Sequence, residues 1–456
     1  MINMTAILLT ISFILFAILA WRNLKMALIL LSGLLPIYLL RLEIGPIPST
    51  ALEILVLICV VVWVIKLIRP DAHTSPSRRL VIDPEFYRRG EIFSSKKTSH
   101  FVRSGGNRWI QPTILLIAAA CFGAVVAPDL FSALGIWKAY FIEPILVATM
   151  MITTFDQKDW TRVLKALSIS AIAISIFAIA QYLTGTGIPT PWDIELRVTS
   201  FFDYPNALGL FLAPIISLTA ILFILHPERS RGISRILSIL TIILGLIAIT
   251  LSQTEAALVA IPTAVIITLL ISGISKKSKL ILLVLSVLLV LCSLLIPTTK
   301  EKLLLQDYSG QVRISQWTET VELIKEKPFF GAGLNGYPTA LEPHHNSTLY
   351  EIFQYPHNIF LNTWVELGLI GLITLFWFGY LILKQTISTP RRDLLEKTSP
   401  NVEVVTLALF AALLTIAIHG LVDVPYFKND LSILTWILLA GFVVTKNSLD
   451  RNTKTH

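Results

Sequence analysis

His357 lies between Pro356 and Asn358, at the head of an apolar run that continues through Glu366, Gly368 and Gly371. An unperturbed imidazole titrates at about 6.5, so near neutrality it can take a proton from a hydroxyl group and hand it back. At the edge of an apolar run it meets water and a lipid-borne substrate together. Proline is tolerated there, and Asn358 suits the cap of the helix that follows. A lone histidine at such a boundary is ordinarily structural, so its neighbours decide its reading.

The polar stretch before it, residues 298–357, has internal order. Val312, Ile314, Trp317, Val321 and Ile324 recur at helical intervals with Gln316 opposite Ile314, and Pro328 followed by Gly331-Ala332-Gly333 ends the run. This predicts an amphipathic helix with Arg313 at its start, where a guanidinium and free backbone N–H groups can hold an anion. His344 and His345 are adjacent and therefore point in different directions, which argues against a shared metal ion. Glu366 sits about two and a half turns into the following run, where an unpaired carboxylate is costly. It should face the protein interior, either as a hydrogen bond between helices or as a substrate contact. Gly368 and Gly371, at i and i+3, are expected to share a helix face and admit a neighbouring helix. Lys138 and Glu143 share one apolar run without sharing a face, so each is expected to pair with another helix or to line a groove.

The elements that position these groups must be membrane helices. A 456-residue chain with mean hydropathy +0.73 and 14% charged residues is too apolar for a soluble globule of its length. Apolar runs of roughly the length that crosses a bilayer recur without the alternation of a barrel strand. A lipid-exposed backbone must satisfy its own hydrogen bonds, so they read as helices. The runs fall at 4–20, 24–40, 50–68, 112–127, 130–153, 163–184, 206–225, 233–251, 256–273, 279–297, 358–383, 402–420 and 431–446. The predicted fold is an all-α polytopic membrane protein of 12–13 spans in a single transmembrane domain. The first run reads as a span, because no Lys or Arg precedes it and Trp21-Arg22 follows it. Cys59, Cys121 and Cys292 lie inside apolar runs without metal-ligand spacing and read as packing residues.

Most of the 37 Lys and Arg residues gather in segments 69–111, 226–235, 274–279 and 384–401 and in the tail from Lys446, which alternating spans place on one side. By the positive-inside rule that side is the cytoplasm, with the N-terminus outside and the C-terminus inside. Segment 69–111 reads as a basic cytoplasmic linker rather than a nucleic-acid surface, since it lacks interleaved aromatic platforms. Residues 185–206 and 298–357 then face outward, and the longer of the two is the candidate catalytic loop.

His357-Asn358, nine residues, Gly368, two residues and Gly371 resemble the His-Asn/Ser/Gln pattern of the O-antigen ligase and O-antigen polymerase superfamily. Arg313 with Trp317, the stretch KPFFGAGLNGY from Lys327 to Tyr337, and LRVTSFFDYPNALG from Leu196 to Gly209 resemble it too, and with the span layout the likeness covers most of the chain from about Phe131 onward. The chain departs from the family at Ser252-Gln253-Thr254-Glu255, where a Ser-Arg pair is usual and Glu255 reverses the local charge.

The resemblance implies a GT-C-like membrane glycosyltransferase in the bacterial plasma membrane. It would move a glycan from a polyprenyl diphosphate carrier to an acceptor hydroxyl, on a glycan, lipid or protein, at the extracytoplasmic face. His357 is expected to act as the base, and Arg313 and Arg197 to hold the leaving diphosphate through bidentate, permanently charged forks. Asn358, His345, Asn206, Trp317 and Glu366 are the expected substrate contacts. The outer segments hold no Asp-x-Asp pair, so neither a metal ion nor another cofactor is expected. Ligation and polymerisation remain equally open, and a polysaccharide transporter or lipid flippase is the rival class. Transporters are usually built from two related halves, and no internal repeat is visible here.

Overall fold

The computed structural model describes residues 4–44, 47–68, 107–225, 235–348, 350–389 and 402–452. These form helices α1 (Met4–Arg22), α2 (Leu24–Gly33) and α3 (Ala51–Ile68), followed by α4 (Asn107–Val125), α5 (Leu130–Thr154) and α6 (Gln157–Thr184). Then come α7 (Pro205–Leu225), α8 (Arg235–Leu251), α9 (Glu255–Ile271), α10 (Lys276–Leu295), α11 (Pro297–Leu303), α12 (Tyr308–Glu326) and α13 (Tyr337–Leu341). The chain closes with α14 (Ile359–Ser388), α15 (Val402–His419) and α16 (Asn429–Asn452). Eight helices among the described residues are long and apolar enough to cross a membrane: α3, α4, α5, α6, α7, α10, α14 and α15. The chain is therefore an all-α, multi-pass membrane protein.

The remaining expected spans are shorter apolar helices, and the run 24–40 shows why. Gly33, Pro36 and the polar residues beyond it do not sustain an α-helix: α2 stops at Gly33, a 3₁₀ turn covers Leu35–Leu39, and the strands Arg41–Ile44 and Ile47–Thr50 pair as an antiparallel hairpin. Hydropathy alone does not register that change of backbone. The basic linker expected at 69–111 lies outside the described residues except for 107–111, which open α4 rather than close a linker.

Burial orders the bundle. In the most apolar window of α7, 78% of residues are buried in protein, and in α15 67%, whereas α10 buries none. The first pair forms the centre, tied by a 2.7 Å hydrogen bond from Thr415 to Ser217, and α10 is a peripheral helix whose apolar side chains face outward. Lys138 pairs with Glu53 of α3 at 2.8 Å across helices, as expected of a charge inside an apolar span.

Helix α14 is interrupted. Gly368 has φ 67° and ψ −172°, a conformation essentially confined to glycine, and it breaks the helical ladder. Backbone groups freed inside a membrane helix need partners, and the Lys327–Tyr337 stretch supplies them. Ala332 N donates to Val365 O at 2.7 Å, Phe329 O accepts from Leu369 N at 3.0 Å, and Pro328 O accepts from the Trp364 indole at 2.7 Å. On the far side of this plug Leu334 N donates to Gly123 O of α4 at 2.9 Å, and Asn335 N donates to the Glu366 carboxylate at 2.7 Å. The expected shared face of Gly368 and Gly371 does not exist, because Gly368 is not helical; it admits the Phe329 carbonyl of the plug rather than a neighbouring helix. Glu366 receives a backbone N–H from the plug, which accounts for a buried carboxylate in this position.

Candidate functional site

Helix α12 runs as the apolar spacing predicts, capped by Asp307, whose side chain accepts from Gly310 N at 3.2 Å. It begins five residues before Arg313, so that arginine stands in the second turn and not at the helix start. Its guanidinium does not join the helix N-terminus. Nε donates to Val422 O at 3.1 Å and Nη1 to the Ser309 hydroxyl at 2.6 Å, while Nη2 makes no hydrogen bond among the described residues. The fork is thus held on one edge and open on the other.

One turn further, Gln316 and Trp317 grip the strap that carries His357. Gln316 Nε2 donates to Tyr355 O at 2.8 Å, and the Trp317 indole donates to Pro356 O at 2.9 Å. His357 follows with φ 47°, a left-handed conformation that an L-residue adopts at a cost of about 1–2 kcal/mol. Its Nδ1 lies 3.2 Å from Gln316 Oε1, and its ring packs against Tyr355 and Phe353 at centroid distances of 5.0 and 5.2 Å. Asn358 caps α14, accepting from Phe360 N and Leu361 N at 3.0 and 3.1 Å, and donates to Leu421 O at 2.9 Å. The cap expected from sequence is present, and it also ties α14 to the segment after α15.

That segment, Gly420–Lys428, contributes two residues that the sequence reading passed over. Asp423 accepts from Val424 N at 2.8 Å and from the Asn206 amide of α7 at 3.2 Å. Burial lowers the pKa of His357 below the ordinary imidazole range; Asp423 pulls it back up and Arg313 pushes it down. His357 therefore feels the charge of both Asp423 and Arg313. Lys428 is the second omission. Its amine makes no hydrogen bond among the described residues and faces the rings of Tyr204, Phe202 and Tyr38 at 4.8, 4.9 and 5.2 Å. Burial lowers its pKa against the pull of Asp430, Asp203 and Asp423. The available signal was compositional: VDVPYFKND is rich in charge and aromatics for a short connection between apolar runs.

The structure thus brings together His357, Arg313, Asn358, Trp317 and Asn206. Arg197 makes a different set of contacts: its guanidinium lies 5.0 Å over the Trp192 ring and donates to Ser252 O at 3.3 Å, with the carboxylates of Glu195 and Glu255 in electrostatic range. Glu255 also pairs with Lys302, so the charge reversal noted in sequence is balanced on both sides. His345 is engaged by Glu319 at 3.0 Å. That carboxylate also accepts from Asn346 N and Ser347 N, each at 3.0 Å, and from the Tyr350 hydroxyl. Burial pushes the Glu319 pKa up, but these donors outweigh it and hold the group below its usual value. Glu366 belongs to the plug. Among the described residues no three His, Cys, Asp or Glu side chains converge as metal ligands.

The O-antigen ligase family model matches residues 240–376. The matched stretch contains Arg313, Gln316, Trp317, His345, His357, Asn358, Glu366 and the break at Gly368, and it stops short of Asp423 and Lys428. No curated protein matches the chain. This match over residues 240–376, which hold the plug and the clamp around His357, supports the likeness to the O-antigen ligase and O-antigen polymerase superfamily.

Proposed function

We propose that this protein transfers a glycan from a polyprenyl diphosphate to an acceptor hydroxyl at the extracytoplasmic face of the bacterial plasma membrane. The observation that carries this reading is the pairing of Arg313 and Gln316, three residues apart on one face of α12. It sets a half-open guanidinium and a gripped imidazole on the same side of one helix. The acceptor oxygen attacks the anomeric carbon and passes its proton to His357 as the carbon–oxygen bond to phosphate breaks. The bonding electrons leave with the diphosphate, whose growing negative charge meets the free Nη2 edge of Arg313. Arg197 is the second candidate cation for that group, supplied from the loop before α7. Asn206 acts through Asp423, and Asn358 by holding the strap. His345 and Glu366 are proposed as more distant supports of the acceptor side.

The test is release of polyprenyl diphosphate from a lipid-linked glycan by the purified chain in lipid. Release that requires an acceptor, and elongation or capping of that acceptor, is the expected result. Translocation of the intact donor across sealed vesicles without release would overturn the reading in favour of a transporter.

A further inference from the structure

Gln316 is fully buried, so each polar atom of its side chain needs a defined partner. The Tyr355 carbonyl can only accept a hydrogen bond, and the Gln316 amide atom 2.8 Å from it is therefore the donor Nε2. The Tyr337 hydroxyl lies within reach of the same amide, consistent with its second N–H. That orientation turns Oε1 toward His357 Nδ1, 3.2 Å away. An amide oxygen can only accept. Were Nδ1 to carry a lone pair instead of a proton, two acceptors would face each other in a buried site, which is the costly arrangement.

We infer that Gln316 is the positioning residue that fixes His357 as its Nδ1–H tautomer and so leaves Nε2 as the nitrogen free to take a proton. This rests on the reading of His357 as the base. The backbone reinforces it: Trp317 holds Pro356 O at 2.9 Å, so the strap cannot slide relative to the amide, and the left-handed His357 stays in place. No other described group competes for Nδ1. Asp423 spends its oxygens on Val424 N and Asn206, and Arg313 has only donors to offer. Asp423 and Arg313 are the charged groups acting on the imidazole, so they tune its proton affinity while Gln316 selects the nitrogen.

The experiment uses full-length protein in lipid with 15N-labelled histidine, the His357 signals being assigned by difference from His357→Gln. In the wild type at pH 8, Nδ1 should give the protonated shift and Nε2 the unprotonated one. Gln316→Met, which keeps the volume and loses the acceptor, should revert to the Nε2–H form that free histidine prefers. Its kcat should drop on the order of 10- to 100-fold with KM little changed. Gln316→Glu keeps an acceptor at the same place and adds a charge, so the acid limb of its kcat profile should move to higher pH by about one unit or more. If Gln316→Met does not fold, the Gln316→Glu profile decides alone. An unchanged tautomer in Gln316→Met, or an unmoved acid limb in Gln316→Glu, overturns the inference. Full activity of His357→Ala would instead remove the base, while the nitrogen shifts still report whether Gln316 sets the tautomer.

Discussion

The amide nitrogen of Ala332 lies 2.7 Å from the carbonyl oxygen of Val365, which joins a loop residue to a membrane helix at the point where that helix loses its own hydrogen bonds. The break at Gly368 and the plug that heals it are one device. It anchors α14, and with it His357 at the head of the helix, against α4 and the loop that follows α12.

The first prediction concerns that break. A methyl group at Gly368 would lie 2.2 Å from the Phe329 carbonyl oxygen, in a backbone conformation that costs a non-glycine residue about 1–3 kcal/mol before any overlap is counted. Gly368→Ala should lower the thermal midpoint in lipid sharply. Gly379→Ala, at a helical site with open space around it, should leave the midpoint unchanged or slightly raised.

Glu366 gives a separate test of the plug. Glu366→Gln retains an acceptor for Asn335 N and should keep most of the stability and the substrate KM. Glu366→Leu leaves that N–H buried without a partner and should cost about 1–3 kcal/mol, measured by thermal unfolding. A large change in KM for Glu366→Gln with normal stability would argue for direct contact with substrate.

The third prediction is the pH dependence of the rate. Burial holds the His357 pKa below the usual imidazole range, so the basic form survives below about pH 6.5 and the acid limb should fall on the acid side of that value. Asp423 raises that pKa, so Asp423→Asn should move the limb to still lower pH; Arg313 lowers it, so Arg313→Met should move the limb up. The same shift acts on stability. Below the unfolded pKa the unfolded chain binds more protons at this site than the folded one. Its contribution is therefore complete above about pH 6.5 and is lost as pH falls through the folded value.

Lys428 provides the fourth. Its buried amine lies in the electrostatic range of Asp430, Asp203 and Asp423, so Lys428→Met should destabilise the protein by at least about 2 kcal/mol, with Lys428→Arg recovering part of the loss. Thermal unfolding in lipid measures both. Equal midpoints for Lys428→Met and the wild type would show that the acids do not depend on it.

Much of this architecture was legible in the chain. The apolar runs located the long helices, and the spacing from Val312 to Ile324 located α12. The roles expected of His357, Arg313 and Trp317 came from the family resemblance, carried by the spacing from His357 to Gly368 and by Arg313 with Trp317. What hydropathy could not carry was backbone state. The end of α2 at Gly33 and the break at Gly368 both lie in stretches whose apolarity reads as uninterrupted helix. Contacts at long sequence separation were equally hidden. Nothing local to Asn206 marks its hydrogen bond with Asp423, and Gln316 looked like the polar side of an amphipathic helix rather than the partner of an imidazole.

The most direct test of the account is single-turnover release of polyprenyl diphosphate by the wild type and by His357→Ala, purified at equal abundance and with equal thermal midpoints. The account predicts that His357→Ala binds the donor with similar affinity but loses at least about 100-fold in rate, because only proton transfer to the imidazole has been removed. A rate within twofold of the wild type would contradict it.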